Sequence, residues 1–163
     1  MDISFDIKSA EGDLIRVALS YYDAESVGMF SSNPSILSLV FYDVTLIRVD
    51  GDKYIGYKIL SAVSDTLARF LNENEDAVLC FYCDDQTDVA RNHKDISPQE
   101  YRSRLFSGMF DRYMKFNNEL AFVNRCVKIE DSDDSNKSRF AHFICRKEHE
   151  SSVIELGNLL MEK

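Results

Sequence analysis

The sequence predicts an α+β domain in which helices pack on a mainly antiparallel sheet. Three observations carry this expectation. The chain opens with strict alternation of polar and apolar residues, two later stretches place apolar residues at helical spacing, and a second pair of strand-like segments stands near the end. With 163 residues, 45% of them hydrophobic and 12% aromatic, the chain reads as a single globular domain over 1–163 with a core of its own.

Ile3, Phe5 and Ile7 alternate with Asp2, Ser4, Asp6 and Lys8, the pattern of a half-buried strand. Ile15, Val17, Leu19 and Tyr21 repeat it after a turn around Gly12, so residues 2–22 read as a β-hairpin. Residues 23–35 (DAESVGMFSSNPS) read as a loop, and Met29 and Phe30 make it a candidate interface on composition alone. Leu39–Val49 is apolar on both faces and is expected near the middle of a sheet. Asp50-Gly51-Asp52 closes that strand, with Asp52 a candidate helix cap.

Ile55, Ile59, Val63, Leu67, Phe70 and Leu71 then predict a helix over about 53–72. Ala77–Tyr82 is expected to be an interior strand, followed by a long polar loop over 84–96. Ser97-Pro98-Gln99-Glu100 is a helix-start signal: a hydroxyl cap, a proline where no donor is missed, and a glutamate that can reach back. The helix it opens runs to about Phe116. Leu120–Ile129 and Arg139–Arg146 read as strands, and 151–161 as a last helix. The expected order is β-β-β-α-β-α-β-β-α.

Charge narrows the function classes. With 28 acidic against 19 basic residues the net charge is -9, which repels phosphate backbones and argues against nucleic acid as a partner. The N-terminal MDISFDIKSAEGD has no apolar signal region, and Ile36–Val49 is too short and too polar to span a bilayer, so a cytoplasmic protein without a membrane partner is expected. Oligomeric state is not encoded in any feature of the sequence.

Cys80-Phe-Tyr-Cys83 has the spacing of a zinc knuckle, but it sits in a continuous apolar run without glycine or proline. In a strand, positions i and i+3 face opposite ways, so buried free thiols are expected, with neither zinc nor a redox pair. The loop after Tyr82, CDDQTDVARNHKD, gathers more polar chemistry. Cys83 with His93 as its base is a weak nucleophile pair, weighed against a buried thiol followed by a solvated loop. Asp84, Asp85 and Asp88 could approach magnesium, but no phosphate-binding glycine loop accompanies them. Glu130–Asp134 fits a calcium loop poorly, because Asn136 and His142 stand where glycine and glutamate are needed, and reads as a hairpin turn. His142 reads as a hydrogen-bonded sheet residue and not as a ligand. No metal site and no cofactor are expected.

Arg102 is the one misplaced charge. On a helical wheel with Pro98 at zero, Leu105 falls at about 340° and Met109 at about 20°. Tyr113 falls at about 60° and Phe106 at about 80°, with Arg102 at about 40° among them. A charge on a core-facing stripe must reach water or a carboxylate. Asp84 or Asp85 is the expected partner, which would pin the loop to the helix. The competing reading joins Arg102 with Arg91 to bind a small anionic ligand.

From about Lys53 to the C-terminus the chain resembles an uncharacterised family of small bacterial proteins, a domain of unknown function. The helix Ile55–Leu71, Cys83-Asp84 in FYCDD, Arg102 ahead of Leu105-Phe106, and the closing hairpin and helix carry the likeness. A tryptophan common in that family is replaced here by Met109. The resemblance implies a shared fold and supplies no activity or catalytic residue. Two functional expectations follow: a non-enzymatic module acting through another protein or through small-ligand regulation, or a small hydrolase or transferase built on the 83–102 loop and helix start.

Overall fold

The computed structural model describes residues 2–10, 12–22, 33–50, 57–83, 98–116, 122–130, 133 and 138–161. Among these, the alternating and helically spaced segments become β1 (Ile3–Lys8), β2 (Leu14–Tyr22), α1 (Pro34–Leu37), β3 (Val40–Asp50), α2 (Tyr57–Glu73), β4 (Ala77–Cys83), α3 (Pro98–Phe116), β5 (Phe122–Ile129), β6 (Arg139–Arg146) and α4 (Glu150–Met161). A single 3-10 turn, Lys147–His149, leads into α4.

The six strands form one sheet in the order β1-β2-β3-β4-β6-β5. All neighbours are antiparallel except β3 and β4, which run parallel and are joined through α2. The fold is therefore α+β with a mixed, mostly antiparallel sheet, and β3 lies inside it as its two-sided apolar pattern requires. Both expected hairpins are present. In the first, Ile7 pairs with Ile15 and Gly12 takes a positive φ of 94° in the turn, a conformation that glycine adopts without strain. In the second, Ile129 pairs with Arg139, while most of the acidic run between the two strands lies outside the described residues.

One feature of the 23–35 segment differs from a plain loop. Asn33 accepts a hydrogen bond from the Ser35 amide at 2.9 Å and Pro34 opens a one-turn helix. Four residues are too few to show helical periodicity, so only the asparagine-proline cap could have revealed it. Residues 23–32, with Met29 and Phe30, lie outside the described residues, as do Asp52 and Ser97.

The two faces of the sheet are covered unequally. The inner face receives α2 and α3. Ile15, Val17, Leu19, Val44 and Leu79 meet Val63, Leu67 and Leu71 of α2 and Phe106 and Phe110 of α3 there, all buried. Aromatic edges interlock at the same layer, with Phe70 of α2 against Tyr42 at 5.1 Å and Phe5 at 6.4 Å. On the outer face α1 and α4 cover the β4-β6-β5 side through Ile36, Val78, Phe143, Cys145, Val153 and Leu156. Asn33 donates to Glu155 at 2.7 Å and so ties the two outer helices together. The outer face of β1 and β2 carries Ser4, Asp6, Lys8 and Ser20 in solvent.

Two glycines in helices test this packing with opposite signs. Gly108 sits on the exposed side of α3 with open space where a Cβ would go, so Gly108→Ala is expected to stabilise by about 0.5–1 kcal/mol. Gly157 of α4 lies against β5, where an added Cβ would stand 2.8 Å from Val127 Cγ2. Gly157→Val is expected to cost about 1–3 kcal/mol by overpacking. Urea unfolding of the two variants checks both signs.

Candidate functional site

The buried line of α3 is not the stripe read from its large apolar residues. Gln99, Ser103, Phe106 and Phe110 are the buried positions, and Leu105 is exposed. On the same wheel those four centre at about 110°, so the helix is turned by roughly 70° from the expected face. Arg102 consequently stands at the margin, half-buried, and Ser103 faces the sheet.

The reason lies on the inner face of β5 and β6. His142 is wholly buried there, opposite Cys126 and beside Asn124. An imidazole has two nitrogens to satisfy, and each one left unmet in the interior would cost about 1–3 kcal/mol. The structure satisfies them with polar residues of two elements. Nδ1 lies 3.1 Å from Asn124 Oδ1, and the Asn124 amide in turn donates to Ser107 Oγ at 3.3 Å. Because an amide oxygen faces Nδ1, that nitrogen carries the proton. Nε2 therefore presents its lone pair, and the Ser103 hydroxyl donates to it at 2.7 Å. Phe106 caps the ring with centroids 5.3 Å apart, and stacks in parallel on Phe81 at 4.2 Å.

Cys126 stands at the rim of this cluster on the free edge strand. Its Sγ is 3.6 Å from His142 Nε2 and 3.7 Å from Ser103 Oγ. A thiol, an imidazole and an amide in that order are the parts of a cysteine nucleophile, its base and the group that orients the base. The electrostatics oppose that use. Burial pushes the Cys126 thiol up, offset only in part by the Ser103 hydroxyl, and burial holds His142 down to about 4. The resting pair is a neutral thiol beside a neutral imidazole, with the base itself sealed from solvent. The arrangement locks α3 to the sheet.

The expected site residues are distributed as follows. Cys83 ends β4, and its side chain lies outside the described residues, together with Asp84, Asp85, Arg91 and His93. The expected Asp84 or Asp85 partner of Arg102 and the Cys83–His93 pair therefore lie outside them as well. Cys80, Cys126 and Cys145 are free thiols, with Cys145 buried and Cys80 half-buried as expected, while Cys126 is exposed. Burial pushes Cys145 up to about 12 and raises Cys80 further still, so both are inert. No group of three or more histidine, cysteine, aspartate or glutamate side chains among the described residues could hold a metal ion. His142 is a hydrogen-bonded sheet residue, as its strand position predicted. Ser103, Ser107, Asn124 and Cys126 were not singled out by the sequence, since each is an ordinary polar residue until the fold brings it to His142.

A second surface stands apart from this sealed cluster. Along the outer face, β3 projects Asp43, Thr45, Ile47 and Val49 beyond the cover of α1 and α4, with Tyr22 of β2 and Tyr82 of β4 on the same side. Ile47, Val49, Tyr22 and Tyr82 are between 41% and 45% exposed, although β-branched and aromatic residues there could equally have been polar. No helix among the described residues is long and apolar enough to cross a membrane. No protein-family model matches the chain, and no curated protein matches it.

The His142 cluster has a defined pH signature. Between about pH 6.5 and about 4 the unfolded chain binds a proton on His142 that the native chain does not, so stability falls as pH falls through that window. The full loss is on the order of 3 kcal/mol, and above about pH 6.5 this residue contributes no slope. Denaturant titrations across pH are expected to show the slope in the natural protein. His142→Gln, destabilised by on the order of 1–3 kcal/mol at neutral pH, should lack it.

Proposed function

We propose that the chain is a non-enzymatic cytoplasmic interaction module that engages another protein through the outer face of β2 and β3. The observation that carries this reading is the exposed row Thr45, Ile47 and Val49 on the outer face of β3, with exposed Tyr22 and Tyr82 on the neighbouring strands of the same face. Isolated exposed apolar residues are ordinary on protein surfaces, but here they sit on one face of adjacent strands. The net charge of -9 favours protein over nucleic acid as the partner. The resemblance of residues 53–163 to an uncharacterised bacterial family is compatible with this reading and adds no activity to it.

The second reading, a small hydrolase or transferase, is favoured by one observation: the Cys126, His142 and Asn124 order described above. It would move the site from the 83–102 loop to the β5–β6 edge. The buried base and raised thiol rank it second.

Crosslinking in cells that express the protein, read by mass spectrometry, separates the two. Ile47→Asp and Val49→Asp are expected to abolish the dominant crosslinks while leaving unfolding cooperativity intact, because both positions are exposed. Crosslinks that persist in both variants would contradict the interaction reading. Alkylation of Cys126 by iodoacetamide is expected to proceed no faster than that of a free cysteine peptide; an acceleration lost in His142→Gln would favour the enzyme.

A further inference from the structure

We propose that the outer face contains a receptor for an arginine side chain of the partner protein, with Asp43 as its carboxylate and Tyr22 and Tyr82 as its aromatic walls. The inference rests on the interaction reading and names the chemistry that the face recognises.

The strand register builds the site. Asp43 of β3 stands opposite Ser20 of β2 and beside Cys80 of β4, all on the outer face. Tyr22 follows two residues after Ser20 and lies beside Phe41, while Tyr82 follows two residues after Cys80 toward the Thr45 end, so the two rings stand diagonally on either side of Asp43. Their neighbours Tyr21 and Phe81 turn inward, to Tyr42 and Phe106 respectively, which fixes the outward direction of both tyrosines. Beside Asp43 the face carries the small groups Ser20, Cys80 and Thr45.

Asp43 lacks the counter-charge that such a position calls for. It is half-buried, and no cation among the described residues pairs with it. Burial alone raises its carboxyl, with no positive group acting against the rise. Cys80 beside it is a neutral thiol, and the Tyr22 phenol is pushed up first by burial and then by Asp43 itself, so neither supplies charge. The other end of the same face shows what neutralises a carboxylate there. Asp6 of β1 takes a two-pronged contact from Arg16 of β2, at 2.8 and 3.2 Å. A guanidinium suits the Asp43 position for the same reason, since it meets a carboxylate through two parallel bonds and stacks on aromatic rings. Ile47, one exposed step beyond Thr45, supplies an apolar shoulder for the residues that flank the arginine.

The probe is N-acetyl-arginine methylamide, followed by NMR through the ring signals of Tyr22 and Tyr82. Saturable shifts of both rings are expected. N-acetyl-citrulline methylamide, of the same shape without charge, should bind at least tenfold more weakly, and so should the lysine analogue, which lacks the planar fork. Asp43→Asn should weaken arginine binding at least tenfold without lowering the melting temperature. Equal responses to arginine and citrulline, equal responses to arginine and lysine, or undiminished arginine binding by Asp43→Asn would each overturn the inference. The citrulline comparison uses the unaltered protein and needs no variant to fold. If Ile47→Asp and Val49→Asp abolish crosslinking in cells but Asp43→Asn changes neither crosslinking nor arginine binding, the inference fails and the interaction reading stands. If crosslinks persist in the isoleucine and valine variants, the interaction reading fails first.

Discussion

A single buried imidazole governs how the inner layer is assembled. His142 sits on a strand whose face must be covered; Asn124 of the neighbouring strand meets its Nδ1, and its Nε2 needs a donor from the helix that covers it. Only one rotation of α3 places Ser103 and Ser107 over it. That rotation draws Gln99, Phe106 and Phe110 inward with Ser103 and turns Leu105 out to solvent. Packing area alone would have favoured the opposite choice, burying Leu105 and exposing a serine. The polar requirement wins because an unmet Nε2 would cost about as much as the burial of one leucine returns, and the same rotation buries Phe106 and Phe110.

The same arrangement separates chemistry from recognition. His142 and Ser103 are held together inside a layer stiffened by the Phe81–Phe106 stack, with Asn124 beside them and Cys126 at the exposed rim. The outer layer consists of one helical turn and one three-turn helix, joined by Asn33 and Glu155, and it covers the β4-β6-β5 side. The outer face of β2 and β3 is thereby left with Tyr22 near one end, Ile47 and Val49 toward the other, and the half-buried Asp43 between them. The surface that is open is the one whose residues are ill-suited to remaining open.

Most of the architecture was legible in the sequence. Alternation located both hairpins, helical spacing located α2 and α4, and the Pro98 start signal located α3, because each of these is set by local periodicity or capping. The parallel pairing of β3 with β4 was not legible, since strand direction depends on where α2 carries the chain. The site was read less well, and for a physical reason. A wheel built on large apolar residues gives serine no weight, so it put Arg102 at the centre of the buried face. The buried face of α3 is set by His142, which lies 39 residues beyond Ser103 in the chain, and no helix pattern contains that information. Asp43 was not singled out in the sequence, because its lack of a counter-charge among the described residues becomes visible only when β2 and β4 are placed on either side of it.

The central claim is that a neutral His142, protonated on Nδ1 and accepting from Ser103 on Nε2, sets the packing of α3. The most direct measurement is the pair of imidazole nitrogen chemical shifts of His142, followed by NMR from about pH 8 to about pH 5. The account expects one protonated nitrogen, Nδ1, and one bare nitrogen, Nε2, with both shifts flat across that range. A midpoint near the ordinary histidine value of about 6.5, or a proton on Nε2 in its place, would contradict it.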